Sequence, residues 1–275
     1  MPENVTPSIV LLPSATARGY DEGPFIAIVK SREELSQWLE RGEPRPGIEG
    51  IQVEGLIGDS EVWALAAQGA DELPLDVVLD DPATEYSALY RLVDVRMVRP
   101  VRVTIPVAPG FSKALRLAAS IQIPVRLLPG QPDAETVKEL VAAANFYLRD
   151  AMVEAPIEFF HSILASFRGL GEGTLWDFLE QNPAEYSQRD TAGRILHAPD
   201  FVEVHLVTEN KKGSECLACR WQTLCAGYFK WPDPTYSCSG VKEIFALLEA
   251  AADEITRDLV DGETGPVAES PIFTR

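Results

Sequence analysis

The chain has 275 residues, 46% hydrophobic and 24% charged, enough for one large domain or two unequal ones. Its 42 acidic and 24 basic residues leave a formal charge of −18, and no basic stripe offsets it, which argues against nucleic acid and anionic membrane as partners. No uninterrupted apolar run reaches about 18 residues, and the start of the chain lacks the basic segment and long apolar core of an export signal.

From Ser8 to about Asp150 the sequence repeats a strand-then-helix unit. Short β-rich runs stand at Ile9–Leu12, Phe25–Val29, Ile51–Glu54, Leu75–Leu79, Val101–Val107 and Ile123–Leu128. From the second on, their starts lie 26, 24, 26 and 22 residues apart, the length of one β/α unit. Start signals precede the helices between them. Ser31 with Glu34 has the form of a capping box, Asp81-Pro82 reads as N-cap and first helical residue of a helix through Tyr90, and Asp133 precedes a periodic helix from Ala134 to about Asp150. Gly69 is a stop for a helix that begins near Ser60. Near-continuous apolar strands joined by helices predict a parallel sheet with covering helices, and about six units are too few for a closed eight-stranded barrel.

Residues 153–192 read as a helical linker, with Ile157, Phe160, Ile163, Leu164 and Phe167 at helical spacing. Its glycines, Gly169, Gly171 and Gly173, do not form a phosphate loop, because no Walker lysine or dinucleotide fingerprint accompanies them. Phe201–Val207 alternates apolar and polar residues and predicts a strand, with Arg194–His197 as its hairpin partner. Lys211-Lys212-Gly213 reads as a turn, and residues 261–275 as a flexible acidic tail. His161, His197 and His205 stand apart from one another at no metal spacing. Asp80 and Asp81 end a strand, where barrel enzymes keep catalytic groups, so a carboxylate-based hydrolase or lyase is one alternative.

All four cysteines fall between Glu215 and Phe245: Cys216, Cys219, Cys225 and Cys238, spaced C-x2-C-x5-C-x12-C. A C-x2-C pair turns two sulfurs toward one centre, and two further thiols can close a four-sulfur cage for zinc or an iron–sulfur cluster. Zinc sites usually pair two such knuckles, whereas here the last two ligands arrive singly. Trp221, Tyr228, Phe229, Trp231 and Tyr236 crowd the same segment, as core or as a shield that keeps water from a cluster. Lys230 is placed either to hydrogen-bond a sulfur or in solvent. After Cys238, Ser239 is a plausible N-cap for a helix whose apolar residues run from Val241 to Leu259.

This cysteine pattern resembles the SPASM domain, the C-terminal extension of many radical SAM enzymes that modify peptides. In the full domain C-x2-C-x5-C-x3-C and a distal cysteine serve two auxiliary [4Fe-4S] clusters. By that resemblance Cys216, Cys219, Cys225 and Cys238 match the ligands of the outer cluster, while Phe229 stands where the inner cluster's cysteine would be. The resemblance implies one [4Fe-4S] cluster, with zinc as the alternative. It also gives the β/α repeat a counterpart, the open six-stranded partial barrel of radical SAM enzymes. The C-x3-C-x2-C motif that holds their SAM cluster is missing, since no cysteine precedes position 216, and the Gly-Gly-Glu-Pro strand end is missing too.

The expectation is therefore an α/β protein. A partial, open, about six-unit β/α barrel over 1–152 and the linker lead into a small irregular cysteine-rich SPASM-like domain over 193–260, then the tail. The implied role is that of a non-catalytic iron–sulfur protein, accessory to a radical SAM peptide maturase, which transfers electrons or binds the precursor peptide or the maturase. No SAM cleavage is expected. The alternatives are a structural zinc- or cluster-stabilised binding protein and the barrel enzyme. Clustered cysteines without an export signal lead to the expectation of a soluble, cytoplasmic protein with no nucleic-acid or membrane partner.

Overall fold

Runs rich in Val and Ile pair side by side because their covered faces leave no room for water, and they form one parallel sheet. The computed structural model describes residues 9–39, 45–68, 73–210 and 214–264. Its strands are β1 (Ile9–Pro13), β2 (Phe25–Val29), β3 (Ile48–Glu54), β4 (Leu75–Val78), β5 (Val101–Pro106), β6 (Val125–Leu128), β7 (Ile157–Glu158) and β8 (Tyr186–Gln188). They lie in the order β7-β6-β5-β4-β3-β2-β1-β8, every pair parallel, in an open, curled half-barrel.

The sheet has eight strands among the described residues rather than six. Both additions come from the segment read as a helical linker. Ile157 pairs with Val125 at one edge, and Tyr186 pairs with Ile9 at the other. Strands of two and three residues are too short to leave a period-two signature, and the free edges of the sheet rather than the local pattern recruit them. The same segment also holds helices Phe160–Phe167 and Leu175–Phe178.

Two helix starts behave as the sequence indicates. Asp81 accepts the amide of Ala83 at 3.0 Å, with Pro82 as the first helical residue, and Asp133 accepts the amide of Thr136 at 2.8 Å. The helix after Asp81 runs in three short pieces, Pro82–Glu85, Tyr86–Arg91 and Leu92–Val95. At the remaining start the Ser31 hydroxyl accepts the amide of Glu34 at 3.2 Å, but the Glu34 carboxylate accepts from Lys30 rather than from Ser31. Gly69, Lys211–Gly213 and residues 265–275 lie outside the described residues.

Phe201–Glu209 is a helix, not a strand. The alternation that predicts a strand also places Phe201 and His205 four apart on one helical face, and there their rings stack at 5.9 Å beside Trp176 and Trp231. Arg194–His197 accordingly has no strand partner there; one antiparallel bridge joins Ile195 to Arg189. Helix Ser239–Thr264 also extends over the first four residues assigned to the tail.

One contiguous core runs from β1 to Leu248 and takes in Leu224, Tyr228, Phe229 and Cys238 of the cysteine segment. The four-cysteine segment is thus not a separately packed cysteine-rich unit. Helix Ser239–Thr264 lies on helices Ala134–Arg149 and Phe160–Phe167, with Val241, Ile244, Phe245 and Leu248 buried. Each such side chain contributes roughly 1.5–3 kcal/mol by leaving water. Gly240 permits this approach, because a Cβ there would stand 2.9 Å from Val137 Cγ1. No helix among the described residues is long and apolar enough to cross a membrane.

Candidate metal centre

The C-x2-C pair makes the tight turn that its spacing predicts: the amide of Cys219 donates to the carbonyl of Cys216 at 3.0 Å. Cys225 ends the short helix Gln222–Cys225, and the chain then reverses through Ala226 and Gly227, both left-handed (φ 44° and 73°). Cys238, rather than Ser239, holds the cap position of the last helix, since its carbonyl accepts the amide of Lys242 at 3.0 Å. All four are free thiols, and all four line one small cavity of about 20 Å³ together with Trp221, Phe229 and Phe245. Among the described residues, no group of three or more His, Cys, Asp or Glu side chains is arranged to hold a metal ion.

The surroundings set the chemistry of these thiols. Burial pushes Cys225 up to about 11 and Cys238 up to about 12, and it raises Cys216 as well. Thiols this reluctant to ionise stay protonated at neutral pH unless a cation takes the place of the proton. The donor set is all sulfur, which suits an iron–sulfur cluster or zinc. A second feature fits a sulfur-rich occupant. The indole Nε1 of Trp221 is buried on the wall of this cavity with no hydrogen-bond partner among the described residues, and it is a donor in search of an acceptor.

Beside the cysteines sits a charge cluster that the sequence reading left out. Lys230 is buried, and its Nζ donates to Glu215 Oε2 at 3.0 Å and to the Tyr236 carbonyl. Among the described residues it thus bonds a carboxylate and a carbonyl rather than a sulfur, and it is buried rather than solvated. Lys242 Nζ meets Glu215 Oε1 at 2.6 Å, and the Cys238 amide meets Glu215 Oε2 at 3.3 Å. Burial alone would raise the Glu215 carboxyl, but the hydrogen bonds from Lys242 and Lys230 outweigh it and hold it at about 2. Acid and base separated by 15 and 27 residues leave no local motif, which is why the pairing is silent in the sequence.

The five aromatic residues of the segment divide. Trp221 and Phe229 face the cysteine cavity, and Trp221 stacks on Phe245 at 5.6 Å. Tyr228 and Trp231 instead face a larger cavity of about 350 Å³ at the barrel mouth, together with Trp176, Phe201 and His197. Tyr236 donates its hydroxyl to the Pro132 carbonyl at 2.7 Å. His205 meets the Gly227 carbonyl at 3.0 Å, and His161 meets the Tyr147 hydroxyl at 3.0 Å. Asp81 is taken up as a helix cap, and the amides of Asp80 and Asp81 both donate to Glu85.

The concave face of the sheet carries a second charged group. Asp76 on β4, Arg102 and Thr104 on β5, and Arg126 on β6 stand in register, Asp76 opposite Arg102 and Thr104 opposite Arg126. Glu180, from the turn after helix Leu175–Phe178, closes the group by bonding both arginines. Burial raises the Asp76 carboxyl, but Arg126 and Arg102 overcome this and leave its pKa below the ordinary value. The signal for these residues was present as alternation in Leu-Asp-Val-Val, Val-Arg-Val-Thr and Val-Arg-Leu-Leu.

No protein-family model and no curated protein matches the chain. Two solved structures of anSMEcpe share its fold. One, native with bound AdoMet and Cp18Cys peptide, superposes with a TM-score of 0.53 at 11% identity, over 90% of this chain and 100% of that one. The other, carrying a hexahistidine tag and bound AdoMet, gives 0.53 at 12% identity over the same shares. Identities this low speak for architecture alone. What the half-barrel and the superposition establish together is a fold shared with anSMEcpe.

Proposed function

We propose that this protein is a non-catalytic iron–sulfur protein that assists a radical SAM peptide maturase, with one [4Fe-4S] cluster held by Cys216, Cys219, Cys225 and Cys238. The observation that carries the reading is that these four thiols line one cavity walled by Trp221, Phe229 and Phe245. No cysteine precedes position 216, so the barrel has no thiolates with which to hold a SAM-cleaving cluster of its own. The native anSMEcpe structure contains AdoMet and a peptide, which supports a peptide or a radical SAM enzyme as the partner class.

A bound cluster would supply one-electron transfer. The chain's own residues do the rest. The rings exclude water from the sulfurs, and the Trp221 N–H has no other acceptor to serve among the described residues. Lys230 and Lys242 bring positive charge beside a site that must hold several thiolates, and Glu215 fixes both ammonium groups in place.

Anaerobic purification followed by iron, sulfide and zinc analysis tests the assignment. About four irons and four sulfides per chain, with a broad charge-transfer absorption that bleaches on reduction, are expected. Stoichiometric zinc with negligible iron would replace this reading with the structural zinc alternative. Co-purification with a maturase and its precursor peptide tests the accessory role.

A further inference from the structure

The charged group on the concave face braces three strands and a turn. Asp76 holds both arginines from the sheet side, at 2.8 Å from Arg102 Nη2 and 2.5 Å from Arg126 Nη2. Thr104 accepts from Arg126 Nε at 3.1 Å and donates to Asp76 at 2.6 Å. These four residues sit on three adjacent strands, so their geometry is fixed without Glu180. Glu180 arrives from outside the sheet, on a turn where it adopts φ 58°, an uncommon backbone conformation for a residue with a side chain. Its Oε1 takes Arg102 Nη1 at 2.6 Å, and its Oε2 takes Arg102 Nη2 at 2.8 Å and Arg126 Nη1. Take that carboxylate away and two guanidinium groups face the space it leaves, with Asp76 the single counter-charge in the group. Paired guanidinium forks match the planar geometry of a carboxylate.

Glu180 also stands between two cavities. It lines both the aromatic cavity of about 350 Å³ at the barrel mouth and a cavity of about 400 Å³ at the opposite end of the strands. We propose that Arg102 and Arg126 form a carboxylate-binding site in the barrel, that Glu180 is its tethered occupant, and that a small molecule with a carboxylate and an apolar body displaces it. The carboxylate takes the place of the Glu180 side chain on the two arginines. The body lies in the mouth cavity against Trp176 and Tyr228. The turn itself stays anchored, by Leu179 in the core and by the hydrogen bonds from Tyr228 Oη to Gln181 Oε1 at 3.0 Å and from Trp176 Nε1 to the Ala226 carbonyl at 3.0 Å, so displacement swings the Glu180 side chain alone. This inference stands whether or not the cysteines bind a cluster.

The test is a thermal-melting titration of wild type, Glu180→Ala and Glu180→Gln with sodium acetate, sodium phenylacetate, acetamide, and sodium chloride at matched ionic strength. Glu180→Ala should melt lower and recover with acetate but not with acetamide or chloride. Phenylacetate should act at lower concentration than acetate, because the mouth cavity takes its ring. Wild type should respond to the same carboxylates at about tenfold higher concentration or more, since the tethered carboxylate competes. Glu180→Gln keeps the site filled by a neutral amide and should respond less than Glu180→Ala. If Glu180→Ala does not stay folded in chloride, its refolding yield in acetate replaces the melting point, and no gain in yield overturns the site. Equal rescue by acetamide, equal response of wild type and Glu180→Ala, or a wild type that never responds would reduce the group to a structural ion network. Phenylacetate no better than acetate would remove the apolar body from the proposal.

Discussion

Glu215 accepts the backbone amide of Cys238 at 3.3 Å across 23 residues of chain, and so ties the two ends of the cysteine segment together. The same carboxylate holds Lys230, whose side chain is only 7% exposed, and Lys242, which is 31% exposed. Removing Glu215 strands a buried ammonium group and frees the amide of a candidate ligand. A fully buried pair broken this way costs about 3–5 kcal/mol, but Glu215 itself is 34% exposed and solvent recovers part of that. Glu215→Ala is therefore expected to lose about 1–3 kcal/mol in chemical denaturation. Glu215→Gln, which keeps an acceptor oxygen, should lose less. An alanine variant as stable as wild type would show that the clamp does not hold the segment.

Gly227 follows Cys225 by two residues and turns the chain at φ 73°. A Cβ at this position would lie 3.2 Å from His205 Nε2, the same atom that hydrogen-bonds the Gly227 carbonyl. Gly227→Ala combines backbone strain with a tight contact and should cost about 1–2 kcal/mol. Adding His205→Ala removes the contact but not the strain, so part of the loss should remain. If the double variant regained wild-type stability in full, the backbone would not be the constraint.

The two sites differ in how much of them the sequence could reveal. The repeating Val- and Ile-rich runs carry the sheet in plain view, because a parallel strand covered on its faces must be apolar along its length. Asp81 and Asp133 declare their helices because capping is local, spanning two or three residues. β7 and β8 escape because pairing at a sheet edge is a long-range event that needs no pattern of its own. Phe201–Glu209 misleads because alternation over seven residues also satisfies an i, i+4 face. The cysteines announce themselves by type and spacing, whereas Glu215 and Glu180 act on partners 15 to 78 residues away and look like ordinary surface acids in the chain.

Asp76 gives the barrel a defined acid response. Burial opposes its ionisation, yet Arg126 and Arg102 hold its pKa below the ordinary value of 3.8. A carboxyl depressed in the folded state stabilises the fold fully above its unfolded pKa. That contribution is lost as pH falls through the lower folded value. Melting temperature should thus carry a component that is flat above about pH 5 and collapses below about pH 4. Asp76→Asn should melt lower at neutral pH and show a shallower acid limb, because it has no carboxylate to protonate at this position. Parallel acid limbs in the two proteins would mean that other carboxylates govern the response.

Cysteine substitution combined with salt separates the two roles proposed for the cluster segment. Cys216→Ala, Cys219→Ala, Cys225→Ala and Cys238→Ala should each remove most of the iron, since each thiol is one of four on a single cavity wall. The chain's charge of −18 favours encounter with a basic partner, and such encounters weaken as ions screen the field beyond about 10 Å at 0.1 M salt. Binding of the maturase or its peptide, measured at 50 and 300 mM salt, should fall with ionic strength for wild type. If the cluster passes electrons, the cysteine variants should keep this salt-sensitive binding and lose support of peptide maturation. If the cluster serves only to hold the segment folded, binding and maturation should fail together, along with protection of residues 214–248 in hydrogen exchange. Binding that ignores salt would remove electrostatic docking, and maturation that proceeds at full rate without this protein would remove the accessory role itself.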